Sequence, residues 1–145
     1  MPTPTYVGFT GSREMTEATE WAIRNVITHL PRSAIVVTGG CIGVDAYVAR
    51  LATGYGLHVH TIPPADRSRV DPDWEQHCLT CFPMPEGTTY KDRNQAIVDR
   101  ADRLYGFPRY SEAHPKSKRS GTWQTIRMAI KKDIPTEIFI PSEFE

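Results

Sequence analysis

Val36-Val37-Thr38-Gly39-Gly40-Cys41-Ile42-Gly43-Val44-Asp45, continuing as Ala46-Tyr47-Val48-Ala49-Arg50-Leu51, joins an apolar run to an amphipathic one through three glycines. The order reads as strand, turn, helix. Val44, Tyr47, Val48 and Leu51 recur at the i, i+3, i+4, i+7 spacing of one buried helical face. Gly39, Gly40 and Gly43 let the intervening backbone take conformations and approaches closed to other residues. A helix beginning at residue 44 exposes unpaired N–H groups and the positive end of its dipole above that turn, which suits an anion, most simply a phosphate. The competing reading is a tight strand-to-helix turn that holds nothing.

Working outward, the same alternation repeats. Residues 5–10 form a short apolar run ending at Gly11-Ser12-Arg13. Thr16 caps a helix whose stripe is Ile23, Val26, Ile27 and Leu30, stopped by Pro31. Residues 34–37 are continuously apolar, as in a strand covered on both faces. Residues 57–62 alternate and end at Pro63-Pro64, which predicts a strand nearer the sheet edge, with His58 and His60 on its polar face. Between residues 65 and 90 the periodicity fails; a short helix over 73–81 and a lid or binding role are expected there. Residues 91–101 read as helix and 102–107 as strand. A polar stretch, 108–119, carries Lys116, Lys118 and Arg119 and either stays solvated or closes over a polyanion. Ser120 then caps a helix showing Trp123, Ile126, Ala129 and Ile130, and residues 134–140 form the last strand.

Strands alternating with helices predict an α/β fold, a mainly parallel, doubly wound sheet in three layers with strand order 3-2-1-4-5. Ligands of such sheets sit beyond the carboxyl ends of the strands, where the order reverses. Gly11-Ser12-Arg13, Thr38-Gly39-Gly40-Cys41 and Arg119-Ser120-Gly121-Thr122 all follow strands at that end. Three turns therefore converge on one place.

A length of 145 residues fits one domain, here residues 1–145, and 17 basic against 17 acidic residues argue against a protein that coats nucleic-acid backbone. No apolar run reaches the about 18–20 residues of a membrane span. The N-terminus lacks a basic segment followed by an apolar one, so a cytoplasmic setting is expected. Cys78 and Cys81, beside His77, have no second ligand pair at matching spacing. All three cysteines are therefore expected to be reduced and structural, with no metal site and no cofactor.

Gly11-Ser12-Arg13, Thr38 to Asp45, Arg93-Asn94 opening a helix, Ala101-Asp102, and Ser120-Gly121-Thr122 with Ala129 resemble, in content and order, the SLOG superfamily. That group includes the DNA-processing Smf/DprA proteins, the YpsA-like proteins and the LONELY GUY phosphoribohydrolases. The resemblance implies a Rossmann-like fold that binds a nucleotide or nucleotide-derived ligand, often as a homodimer. It also implies a catalytic arginine, matched by Arg93, and a glutamate three positions after the threonine of a Gly-Gly-x-Gly-Thr turn. Here that position is Thr125, and Ser120 stands where the turn has glycine. Cleaving an N-glycosidic bond calls for a nearby carboxylate. Asp45, Glu75, Asp92 and Glu112 are the alternatives, and spacing does not choose among them.

The favoured reading is a sensor or sequestering protein for a nucleotide-derived small molecule, held without cleavage. Gly39, Gly40, Cys41, Gly43 and the following helix start would hold one phosphate, and Ser120, Gly121 and Thr122 another or the same one. Arg13 and Arg93 supply permanently charged forks beside Gly11 and Ser12. Asp45 either accepts from a ribose hydroxyl or complements the helix dipole; Asn94 either meets the ligand or ties down its loop. Trp74, Tyr90 and Trp123 either stack on a base or pack. Two alternatives are a nucleotide N-glycoside hydrolase and a DprA-like module for single-stranded DNA, the latter disfavoured by the neutral charge.

Overall fold

The computed structural model describes residues 5–141. The leader reading of the N-terminus rests in part on residues 1–4, which lie outside the described residues. Six strands form one sheet: β1 (Tyr6–Gly11), β2 (Ile35–Thr38), β3 (His58–Thr61), β4 (Thr80–Cys81), β5 (Arg103–Phe107) and β6 (Thr136–Ile138). Their order is β4-β3-β2-β1-β5-β6, and every pairing is parallel. The α/β class and the doubly wound sheet read from sequence hold, as does the relative order of the five expected strands. One strand is added. β4 lies outside β3, so the histidine strand is internal rather than at the edge.

Two residues carry no readable period, and β4 exists because its flanks complete the ladder: Leu79 N–H donates to the Val59 carbonyl and Phe82 N–H to the Thr61 carbonyl, each at 2.8 Å. The helix expected over 73–81 contracts to a single 3-10 turn, Trp74–His77, since the chain after it is drawn into that ladder. The same reversal brings Cys78 to Cys81, and they form a disulfide, which corrects the expectation of reduced thiols there. Cys41 is free and buried.

Four helices cover the two faces: α1 (Glu17–Thr28) and α2 (Val44–Gly54) on one, α3 (Tyr90–Arg100) and α4 (Gly121–Lys131) on the other. Neighbouring residues of β2 show why the strand is apolar throughout. Val36 packs with Phe9, Ile23 and Val48, whereas Val37 packs with Ile97, Leu104 and Ile126. Each such fully buried side chain contributes about 1.5–3 kcal/mol over its exposed state. The starts of α1 and α3 are set locally: the Thr16 hydroxyl accepts from Thr19 N–H, and Thr89 and Asp92 form a reciprocal capping box at the start of α3. Among the described residues no helix is long and apolar enough to cross a membrane.

His60 on β3 stands between the rings of Tyr6 and Phe82, at 5.8 and 5.5 Å, with its Nδ1 buried and unpartnered. Burial, then Arg100 and His58, lower its pKa below the ordinary imidazole value of 6.5. The unfolded chain therefore takes the proton more readily, and the stability contributed by neutral His60 is lost as pH falls from that ordinary value through the lower folded one. Thermal melts should show a falling Tm on acidification below neutral pH, and His60→Phe should flatten that slope; an unchanged slope would remove His60 as its cause.

Candidate anion-binding cleft

The cleft forms where the strand order reverses, above the carboxyl ends of β1, β2 and β5. β1 delivers Gly11, whose hypothetical Cβ would fall 2.5 Å from the side chain of Val44, so this strand end lies directly against the start of α2. Ser12 N–H donates to Phe107 O at 3.1 Å, and Ser12 O accepts from Val44 N–H at 3.0 Å. Gly43, at φ 86°, is the N-cap of α2, and a Cβ there would meet the Arg13 backbone at 2.5 Å. The turn after β1 thus covers the helix start that the sequence offers to a phosphate.

Asp45 closes what remains of that turn. Its carboxylate accepts from Cys41 N–H at 3.2 Å and lies beside the Gly39 amide and the Thr38 hydroxyl, each of which favours its charge. Burial raises the Asp45 pKa above the ordinary carboxylate value, against the opposing pull of Arg93 and those donors. Arg93 is 7% exposed. Its guanidinium donates to Gly39 O at 2.6 Å and to Asn94 Oδ1 at 3.0 Å, lies 3.8 Å from Cys41 Sγ, and sits 5.6 Å from the centre of the Tyr90 ring. A side chain at residue 39 would occupy the guanidinium's own place. Asn94 continues the chain of contacts, its Nδ2 donating to Gln124 Oε1 at 3.1 Å and to Gly121 O at 3.5 Å. The three motifs are therefore joined beneath the cleft by buried polar contacts. Cys41, buried beside Asp45, has its pKa pushed up by both and remains a thiol.

The start of α4 is different. Ser120 caps it by accepting from Trp123 N–H at 3.2 Å. The amides of Gly121 and Thr122 have no acceptor among the described residues. Thr122 is 7% exposed, lines the cleft, and its hydroxyl has no protein partner among the described residues. Thr125, at the position where the resemblance implies a glutamate, is buried and donates its hydroxyl to Gly121 O at 2.8 Å.

The cleft above these groups has a volume of about 720 Å³. Arg13, Arg69, Lys91, Arg93, Arg109, Lys116 and Arg119 line it, against the acids Glu14 and Asp45 alone. Arg13, Arg69, Lys91 and Arg119 carry no ion pair among the described residues. A chain with no net charge thus has one strongly cationic concavity. The loop over residues 108–119 is an ordered wall: Ser117 is buried with its hydroxyl donating to Ser111 O at 2.6 Å, and Tyr110 stacks on His114 at 4.2 Å.

No family model matches the chain, and no curated protein matches it. Solved structures do. DNA processing protein A from Helicobacter pylori superposes with a TM-score of 0.72 at 20% identity, over 94% of this chain and 65% of that one. DprA from Streptococcus pneumoniae gives 0.72 at 18% identity, over 92% and 50%. The fold is that of these DNA processing proteins, a parallel Rossmann-like α/β sheet. The Moco carrier protein from Chlamydomonas reinhardtii shares it, with a TM-score of 0.64 at 18% identity, over 93% of this chain and 75% of that one. The chain thus spans less than two thirds of either DprA chain. The Helicobacter protein is described with a bound mode for single-stranded DNA.

Within this fold, Gly11, Ser12, Arg13, Cys41, Asp45, Arg93, Asn94, Ser120, Gly121 and Thr122 line the cleft. Gly39, Gly40 and Gly43 do not: Gly39 is packed under Arg93, Gly40 faces Thr61 of β3, and Gly43 lies under Arg13. Of the four carboxylates weighed for cleavage, Asp92 is spent in its capping box, Glu112 pairs with Arg127 at 3.0 Å, and Glu75 lies off the cleft in the 3-10 turn. Tyr90 lines the cleft; Trp74 lies away from it under Arg67, and the indole N–H of the buried Trp123 is taken by Tyr110 O at 2.9 Å. The cations Arg69, Lys91 and Arg109 went unread because no period or motif marks them.

Proposed function

We propose that the cleft binds a small nucleotide-derived anion and holds it without cleavage. The carrying observation is the start of α4, where the Gly121 and Thr122 amides and the Thr122 hydroxyl face a cationic cleft with no protein acceptor among the described residues. The first amides of a helix need an acceptor from outside the helix, so this unmatched set is a receptor for an anion that arrives from outside. Arg13, Lys116 and Arg119 supply the surrounding charge, and Tyr90 offers a ring face to a base. Arg93 acts as an anchor beneath the ligand rather than as a free fork, since its donors are already directed at Gly39 and Asn94. Holding without cleavage follows from the acids. Asp45 is committed to its own turn, Glu14 is exposed at the rim, and the helix position that would carry a general acid is Thr125.

The unpaired cations and the likeness to DprA favour one further reading, a site for single-stranded DNA. Salt separates the two. A small ligand with one or two phosphates should give a log Kd against log salt slope of about 1–2, whereas a strand neutralising five or more phosphates should give about 3.5 or steeper. Calorimetry with adenosine and guanosine mono- and diphosphates, against oligothymidylate, should show the shallow slope and one ligand per chain. Oligothymidylate binding with the steep slope, and no mononucleotide binding, would transfer the cleft to DNA. Mass spectrometry of the recovered ligand should show it intact; free base and ribose phosphate would make the protein a glycoside hydrolase.

A further inference from the structure

We infer that the turn after β2 is an anion receptor already filled by the chain's own Asp45 carboxylate, and that Asp45 thereby determines where a ligand can place its charge. The second half rests on the proposed reading of the cleft; the first does not. A glycine-rich turn leading into a helix points several amides at one spot, the arrangement that receives phosphates and other anions. Here three of those donors are taken inside the protein. Cys41 N–H goes to Asp45 Oδ2 at 3.2 Å, Ile42 N–H to Arg69 O at 2.9 Å, and Val44 N–H to Ser12 O at 3.0 Å. The carboxylate also lies beside the Gly39 amide and the Thr38 hydroxyl and faces the Arg93 charge, with Asp45 only 6% exposed.

Being tethered four residues from Cys41, the carboxylate competes at an effective concentration that an outside phosphate does not reach. It also leaves a negative charge in the floor of an otherwise cationic cleft, so a ligand phosphate is repelled from the β2 side and directed to the α4 side. The groups that face Asp45 from the packed elements are Thr38, Gly39 and Cys41 of its own turn and Arg93 of α3. No other acid takes part: Glu14, the second acid of the cleft, is exposed.

Chemical rescue tests this. Asp45→Gly should melt well below the wild type, and sodium formate should raise its Tm saturably at millimolar concentration, relative to sodium chloride at equal ionic strength. Wild type and Asp45→Asn should show no such response. A variant that folds and responds equally to formate and chloride would overturn the receptor. If Asp45→Gly does not fold, Asp45→Asn keeps an oxygen for Cys41 N–H and loses only the charge. Its cleft should then bind inorganic phosphate about tenfold more tightly than wild type, and unchanged phosphate affinity would overturn the charge-placing role. Formate rescue without nucleotide binding by the wild type would sink the proposed function and leave the receptor standing.

Discussion

Replacing Arg93 with methionine should cost about 3–5 kcal/mol of stability, the range seen when a buried charge is left uncompensated. A domain with about 5–15 kcal/mol in total would lose roughly a fifth or more of it. Methionine keeps the apolar stem and removes the guanidinium. It strands three groups at once: the Asp45 carboxylate without its opposing charge, Gly39 O without its donor at 2.6 Å, and Asn94 Oδ1 without its donor at 3.0 Å. Urea unfolding of Arg93→Met, Asp45→Asn and the double variant closes a thermodynamic cycle. The double variant should be more stable than Arg93→Met alone, because a neutral amide no longer needs the guanidinium. Acidity gives a second check. Asp45 already has a raised pKa, and without Arg93 it rises further, so the deficit of Arg93→Met should shrink as pH falls and the acid becomes neutral. Simple additivity of the two substitutions would show that the pair is not coupled, whereas Arg13→Met, on the exposed rim, should change stability by no more than about 0.5 kcal/mol.

The difference between those two arginines was beyond the sequence, which shows both beside glycine or helix-start motifs and nothing about depth. Periodicity reports faces. It placed Val44, Val48 and Ile126 inside, and all three are fully buried. The order of five strands followed from alternation and short connections, and the position of the cleft followed from the reversal of that order. Two residues of β4 have no face to report, so the outer strand and the disulfide beside it were invisible. The glycines were ambiguous for a physical reason. A glycine marks a place where something comes too close for a Cβ, without saying what comes. At Gly39 it is Arg93, at Gly43 the Arg13 backbone and at Gly11 Val44, all parts of the chain itself. Asp45 was legible as either a ligand group or a dipole partner; that it turns back onto the Cys41 amide is a matter of side-chain direction, which spacing does not carry. Net charge hid the cleft in the same way, since seven cations gathered from four separate segments vanish in a neutral total.

Gly121→Pro should leave the fold intact and weaken nucleotide binding by about 10-fold or more, the loss expected for a charge-assisted hydrogen bond of about 1.5–3 kcal/mol. Gly121 is the first residue of α4, the one helical position where proline is favoured, because its missing N–H is an orphan in any case. Ser120 before it sits at φ −70°, ψ 120°, the extended conformation that a following proline demands. A Cβ at residue 121 would find its nearest neighbour, Asn94 Nδ2, at an ordinary 3.6 Å. The substitution therefore removes one donor from the mouth of the helix and nothing that the protein uses for itself. Thr122→Val removes the neighbouring hydroxyl at nearly constant volume and should cost about 5-fold on its own, near 1 kcal/mol for a neutral hydrogen bond. Calorimetry with the best mononucleotide gives the affinities, and thermal melts report the fold. Equal or higher Tm with weakened binding separates recognition from stability and locates the phosphate at α4. Unchanged affinity in Gly121→Pro, with the fold intact, would move the phosphate off this helix and leave the cations of the opposite wall, Arg69 and Lys91, as the groups that hold it.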